Sequence, residues 1–158
     1  MMNHDYFMGL AIEEARKGAA QGEQPFGALI ALDGEVIVKT PSLKVGSSDT
    51  TRHSETYAIA LATQKLKMRT LPPGSVFYAT CEPCPMCAGA ILNGGIKTLV
   101  LGARNADVKK FSANAFQFKD YSVEAFARLV GWDLTVIQGI REDECLALYR
   151  DAVVELTR

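Results

Sequence analysis

A three-layer α/β/α sandwich around a mixed five-stranded sheet is predicted for this chain, an α/β fold, on three observations. Amphipathic stretches with helical spacing alternate with short apolar runs along almost the whole sequence. The first two apolar runs are joined by a tight Asp-Gly turn, which makes them antiparallel neighbours. The later runs are separated by helical crossovers, which makes them parallel.

Asp5 to Ala20 places Met8, Ile12, Ala15 and Ala19 at helical spacing, with Glu13, Glu14, Arg16 and Lys17 elsewhere and Gly22 just beyond, so an amphipathic helix opens the chain. Ala28 to Leu32 and Val36 to Val38 flank Asp33-Gly34 as a hairpin. A polar loop then offers Asp49, Thr50 and Thr51 as caps for a second helix carrying Tyr57, Ala58, Leu61, Ala62 and Leu66, and Pro72-Pro73-Gly74 stops it. Val76 to Ala79 reads as a buried strand. Pro83 is placed in the first turn of the next helix, which runs through Met86 to Leu92 and ends at Gly94-Gly95. Ile96 to Gly102 makes a fourth strand, Arg104 to Tyr121 an irregular stretch, Ser122 to Val130 a helix, Leu134 to Ile140 a fifth strand and Cys145 to Leu156 a terminal helix.

The 158 residues carry 17 Lys plus Arg against 18 Asp plus Glu, with 48% hydrophobic residues. A chain of about 150 residues buries roughly 68–70% of its unfolded surface, so one domain over 1–158 is expected without disulfides. No apolar run approaches the ~20 residues of a membrane span, and the N-terminus lacks the basic and apolar regions of a signal peptide. A cytoplasmic location is therefore expected. The near-neutral balance also argues against a dedicated nucleic-acid binder, which needs a basic excess to neutralise phosphates.

Three of the four cysteines are crowded into Cys81 to Cys87. Cys84 and Cys87, three apart at a helix start, project from one face where the helix N-terminus favours thiolates. A Cys-x-x-Cys pair alone fits a redox couple, a metal half-site or chance. His53, opening the second helix, is a candidate third ligand, and Glu55 stands two residues on as a carboxylate outside the ligand set. A His, Cys, Cys set leaves one position for water, which is the catalytic arrangement of zinc. The plain alternatives are a polar His53 within a cap, Cys145 as a buried small hydrophobe and Glu82 as a carboxylate favourable to a helix start. His4, near a frayed end, takes the same plain reading as a satisfied polar residue. Cys81, on the strand side of Glu82-Pro83, is disfavoured as a fourth ligand.

His53-Ser54-Glu55 together with Pro83-Cys84-Pro85-Met86-Cys87 resembles the signature of the zinc-dependent cytidine-deaminase-like superfamily. Tyr6 to Val38, Thr80 to Ala90, Leu101 to Arg104 and Gly139 to Leu148 resemble its bacterial guanine deaminase and tRNA adenosine deaminase branch. The resemblance implies a cytidine deaminase-like fold, one zinc per chain on His53, Cys84 and Cys87, and Glu55 as the catalytic proton carrier. It implies hydrolytic release of ammonia from a free nucleobase, nucleoside or related aminated heterocycle, guanine- or cytosine-like.

The family usually places an Asn eleven residues before the zinc His, and Ser42 stands there in this chain. A short hydroxyl replaces an amide with donors and an acceptor, which puts the substrate in doubt. Phe26 matches a pocket wall able to stack on a flat heterocycle, with core packing as its other reading. Ala28 and Pro83 complete the implied substrate contacts. Phe111, Phe116 and Phe118 form a lid or a satellite hydrophobic cluster. The branch also implies a homodimer through the helices behind the zinc site, which Ile91 and Leu92 would suit if exposed.

Gly139 to Cys145 favours the tRNA-specific branch. Against it, Arg150 and Arg158 are countered by Asp151 and Glu155, and Lys65, Lys67 and Arg69 read as a solvated helix end. A small-molecule substrate ranks above tRNA on this account. Two other classes stay open: a redox module, which would hold no stoichiometric metal, and a zinc-stabilised interaction domain, which would tolerate loss of Glu55.

Overall fold

The computed structural model describes residues 1–112 and 118–156. Helix α1 (His4–Ala20) is followed by the hairpin of β1 (Gly27–Leu32) and β2 (Glu35–Pro41), then by α2 (Ser54–Leu66), β3 (Val76–Cys81) and α3 (Pro85–Asn93). The chain continues with β4 (Thr98–Ala103), a short α4 (Asn105–Val108) that passes into a 3-10 turn over Lys109–Phe111, α5 (Val123–Val130), β5 (Thr135–Ile137) and α6 (Glu142–Arg150). The strands lie in the order β2-β1-β3-β4-β5. β1 is antiparallel to β2 and to β3, whereas β3, β4 and β5 run parallel, as their helical crossovers require.

The three layers follow from strand alternation. Leu29, Ala31, Val76, Tyr78 and Val100 face one core with α1 and α6, contributed by Met8, Ile12, Cys145 and Tyr149. Ala28, Ile30, Phe77, Ala79, Leu99 and Leu101 face the other, against Ala58 and Ala62 of α2, Ala88 and Ile91 of α3, and Val123 and Ala127 of α5. This two-sided burial is why the central strands read as unbroken apolar runs. Asp33 and Gly34 both take positive φ, 51° and 82°, the conformation an Asp-Gly hairpin turn demands. Gly27 is obligatory for another reason: a Cβ there would lie 2.0 Å from the Ala11 carbonyl oxygen, so α1 rests directly on the backbone of β1.

Several boundaries differ from expectation. The first helical position of α3 is Pro85, with Cys84 as N-cap, so Pro83 belongs to the preceding turn rather than to the helix. None of Asp49, Thr50 and Thr51 caps α2; its N-cap is His53, and Asp49 instead accepts from the Thr51 amide at 2.9 Å and hydroxyl at 2.6 Å. β5 covers only Thr135–Ile137, because Gly139 takes φ 76° and breaks the ladder. α6 starts three residues earlier than Cys145 and stops at Arg150, leaving 151–156 irregular. The stretch after Arg104 is not wholly irregular, since it contains α4 and the 3-10 turn.

His4 is a satisfied polar residue: it begins α1 and its Nδ1 lies 2.9 Å from the Tyr78 hydroxyl, whose ionisation burial pushes up to about 12. One side-chain expectation is corrected. Ile91 is fully buried under β3 and β4, so it is not available to a partner chain; Leu92 is half-buried against the same core. Among the described residues, no helix is long and apolar enough to cross a membrane.

Candidate active site

Three segments converge at one end of the sheet. β3 ends at Cys81, and a turn of three residues delivers Cys84 as the N-cap of α3 and Cys87 as its third helical residue. The spacing is a consequence of helix geometry, because an N-cap side chain and the residue three positions on share a face. From the other side, β2 feeds a longer loop that ends at His53, the N-cap of α2. α2 and α3 pack side by side, so their two N-termini meet.

The His53 Nδ1 atom lies 3.7 Å from Cys84 Sγ and 3.4 Å from Cys87 Sγ, and all three side chains are buried. Bond lengths of about 2.1 Å to nitrogen and 2.3 Å to sulfur, at tetrahedral angles, place two such ligand atoms roughly 3.6 Å apart on one zinc ion. The measured separations bracket that value, so the donor set fits a tetrahedral metal. The three residues form the one such group of His, Cys, Asp and Glu among the described residues. Cys81 is outside it: its thiol is 3.4 Å from Asn105 Oδ1, on the α1 side of the sheet. Cys145 is also a core residue, fully buried, and burial pushes its thiol up to about 12, so it stays protonated.

Glu55, second residue of α2, is 1% exposed. Ser54 beside it donates its hydroxyl to Glu55 Oε2 at 2.9 Å, while Thr40 at the end of β2 donates to the Ser54 carbonyl at 2.7 Å. The start of α2 is thereby fastened to the sheet and the carboxylate to the start of the helix. Neither Thr40 nor Ser54 stood out in the sequence, since a Thr near a strand end and a Ser before a helix are ordinary.

The remaining anticipated residues are spread around this end. Ser42 is buried just past β2, its amide donating to the Phe26 carbonyl at 3.1 Å and its hydroxyl accepting from the Lys44 amide at 3.4 Å. Ala28 is on β1 beneath the core face of α2 and α3. Pro83 is buried in the β3–α3 turn and its carbonyl accepts from the Tyr121 hydroxyl. Phe26 stacks on Tyr149 with ring centres 5.1 Å apart, in the core on the α1 side. Phe111 is exposed, Phe118 packs against that same core and meets Tyr121 edge-on, and Phe116 lies outside the described residues.

The carboxylate of Glu82 also belongs to this end, in a role that sequence reasoning missed. It is 3% exposed and does not serve the start of α3. It accepts instead from the amides of Asn105 at 3.1 Å and Val123 at 2.9 Å and from Arg104 Nη1 at 3.2 Å. Arg104 in turn forks onto Glu124 at 2.9 and 2.6 Å, and that paired guanidinium holds the Glu124 carboxyl below its ordinary range.

A sandwich of this topology, with a His, Cys, Cys group shared between two helix starts and a carboxylate two residues after the histidine, defines the class of the hydrolytic deaminases. The chain belongs to the MafB19-like deaminase family, whose pattern it matches over residues 2–132. It is 31% identical over 147 residues to the tRNA-specific adenosine deaminase of Bacillus subtilis, covering 92% of this chain and 85% of that one. It is 34% identical over 131 residues to the guanine deaminase of the same organism, covering 82% of this chain and 83% of that one. Among solved structures it resembles the guanine deaminase from Nitrosomonas europaea, with a TM-score of 0.81, 25% identity and coverage of 96% and 85% of the two chains. The chain is therefore a deaminase, and its relatives divide between a small-molecule and a tRNA substrate.

Proposed function

We propose that this chain, acting as one domain, removes the amino group of a free nucleobase, nucleoside or related aminated heterocycle, guanine- or cytosine-like, with one zinc ion per chain. The observation that carries this reading is the meeting of His53, Cys84 and Cys87 at two helix starts, with buried Glu55 two residues from the histidine. Guanine, adenosine and cytosine, the compounds in the relatives' names, all carry an exocyclic amino group on a nitrogen heterocycle, which supports the substrate class.

His53, Cys84 and Cys87 would hold the ion. Zinc bound there would supply Lewis-acid activation, bringing the pKa of a water from 15.7 toward about 7. Glu55 takes a proton from the attacking water and passes it to a ring nitrogen, so that the amino-bearing carbon accepts the oxygen and a C–O bond forms. Glu55 then carries the remaining hydroxyl proton to the amino group. The C–N bond breaks, ammonia leaves and the carbon keeps the oxygen as a carbonyl. Ser42, Ala28 and Pro83 are the proposed contacts to the ring. Phe26 supports Ser42 through its backbone, its carbonyl accepting the Ser42 amide, while its ring packs on Tyr149 in the core on the α1 side.

A small substrate is favoured over tRNA by this chain's own charges. Arg150 pairs with Asp151 at 2.8 Å, and Lys65 spends its ammonium on the Ile37 carbonyl at 2.7 Å, so neither offers a phosphate-binding stripe. The second reading, a tRNA adenosine deaminase, rests on the 31% identity across 92% of the chain. We further infer a homodimer through the open groove between α2 and α3, lined by Thr56, Tyr57, Met86, Gly89 and Ala90 in place of Ile91. Sedimentation of the purified protein would give a monomer if that face were unoccupied.

Ammonia release by zinc-loaded protein is to be measured against guanine, cytosine, adenine, their nucleosides, aminated triazines and pterins, and a tRNA anticodon stem-loop, with Glu55→Ala as control. Release from one of the small molecules, abolished in the control, is the expected result. Release from the stem-loop alone overturns the small-molecule reading. Release by the control at the parent rate overturns the role of Glu55.

A further inference from the structure

Glu82 sits two residues before Cys84, and its carboxylate joins three parts of the chain that are distant in sequence. Oε1 accepts from the Asn105 amide just past β4, Oε2 accepts from the Val123 amide that starts α5, and Arg104 adds a charged contact to Oε2. The backbone of the same residue is also fixed, its amide donating to the Ala103 carbonyl at 2.8 Å. One residue on, the Pro83 carbonyl takes the Tyr121 hydroxyl. The turn that delivers Cys84 is thus tied on its outer side at every residue between the strand and the ligand.

A turn of three residues between a strand and a helix has few internal hydrogen bonds of its own, so its shape is set by what holds it from outside. Two backbone donors and a guanidinium converging on one buried carboxylate are strong, directional restraints, and removing the acceptor strands both amides and frees the turn from Arg104. We propose that Glu82 is a positioning residue for the metal group: it sets where Cys84 stands relative to His53 by locking the β3–α3 turn to the end of β4 and the start of α5. This rests on the reading that His53, Cys84 and Cys87 hold a metal. It adds that the strength and geometry of that hold depend on a carboxylate that touches neither the ion nor the substrate. Arg104 serves the same lock from the solvent side, since Glu124 and Gln138 orient its fork.

The test uses cobalt(II) in place of zinc, because its visible absorption bands report coordination geometry directly. Glu82→Gln is compared with the parent and with Glu124→Gln, which removes a partner of Arg104 but leaves Glu82 in place. Glu82→Gln is expected to bind cobalt about 10-fold more weakly, the lower end of the range seen when outer partners of a metal site are lost, and to shift its bands. Glu124→Gln keeps the parent bands and affinity. Equal cobalt affinity and identical bands in Glu82→Gln and the parent would overturn the proposal, even if thermal stability fell. A parent protein that binds no cobalt and no zinc would overturn the underlying metal reading instead.

A second measurement needs no variant. Coupling is reciprocal, so stripping the metal should speed hydrogen exchange at the Asn105 and Val123 amides more than at Leu29 in the middle of β1. Unchanged exchange at those two amides on metal removal would also overturn the proposal.

Discussion

The β3–α3 turn and the β2–α2 loop bring residues to the same end of the sheet by different means. The first spans Glu82 to Cys84 and contains its own anchor, the Glu82 carboxylate, which ties it to the end of β4 and the start of α5. The second runs from Ser42 to His53, and it is held by anchors from elsewhere. Glu23, before β1 and 4% exposed, accepts from the Val45 and Gly46 amides at 2.9 and 2.6 Å, and the Leu43 amide reaches the Arg52 carbonyl at 3.1 Å. A Cβ at Gly46 would lie 2.6 Å from Glu23 Oε1, so the loop needs glycine there to close on the carboxylate. The short connection delivers Cys84 and Cys87 and is held by a carboxylate within it; the long one passes Ser42, delivers His53 and is held by a carboxylate that precedes β1.

Perturbing each connection should therefore damage a different quantity. The largest effect is expected at the chemical end: Glu55→Ala should lower kcat by about 10²–10⁴-fold, the range for loss of a general acid–base group, with zinc content by metal analysis unchanged. Next comes the long loop. Glu23→Ala removes the acceptor of the Val45 and Gly46 amides, which should cost about 1 kcal/mol in denaturant unfolding and raise KM while leaving zinc content intact. If Glu23→Ala lost zinc as readily as a ligand variant, the division between the two connections would fail.

A smaller and more selective change is expected for Ser42→Asn. Its fold and metal should be those of the parent, while the ranking of substrates in the ammonia-release panel changes. An identical ranking would remove Ser42 from the pocket. The smallest effect concerns acid. The Arg104 fork keeps the Glu124 carboxyl below its ordinary value of 4.5. Its stabilising contribution is complete above that value and fades as pH falls through the lowered folded value. Thermal melts at descending pH should show the parent more stable than Glu124→Gln near neutrality, with the gap closing as pH falls below about 4.5.

The same contrast explains what could be read in the chain beforehand. The alternation of helical stretches with apolar runs, the Asp-Gly turn and the crossovers are local patterns, and they gave the layers, the sheet type and the parallel half correctly. The pairing of Cys84 with Cys87 was legible because one helical turn links them, whereas His53 was joined to them through the resemblance of both segments to the deaminase signature, not through spacing. Glu82, Glu23, Thr40 and Tyr121 were not, because each acts across a sequence separation that no short pattern encodes. Pro83 and Pro85 illustrate the limit: either proline satisfies the rule for a helix start, and only the position of Cys84 against His53 selects the second. Ile91 shows the same ambiguity, since an apolar residue on a short helix fits a core or an interface equally well in one dimension.

The two margins of the sheet have a further consequence, for aggregation. β2 offers its outer backbone to solvent, yet it carries exposed Glu35 and Lys39 and ends at Pro41. β5 has only three residues before Gly139 turns the chain away. Charge, proline and brevity are the devices that keep an edge strand from templating another chain, so neither side of this sheet invites growth into a larger one. Self-association is thereby steered away from open-ended stacking and toward the helical faces, where a pairing closes on itself and stops at a defined number of copies.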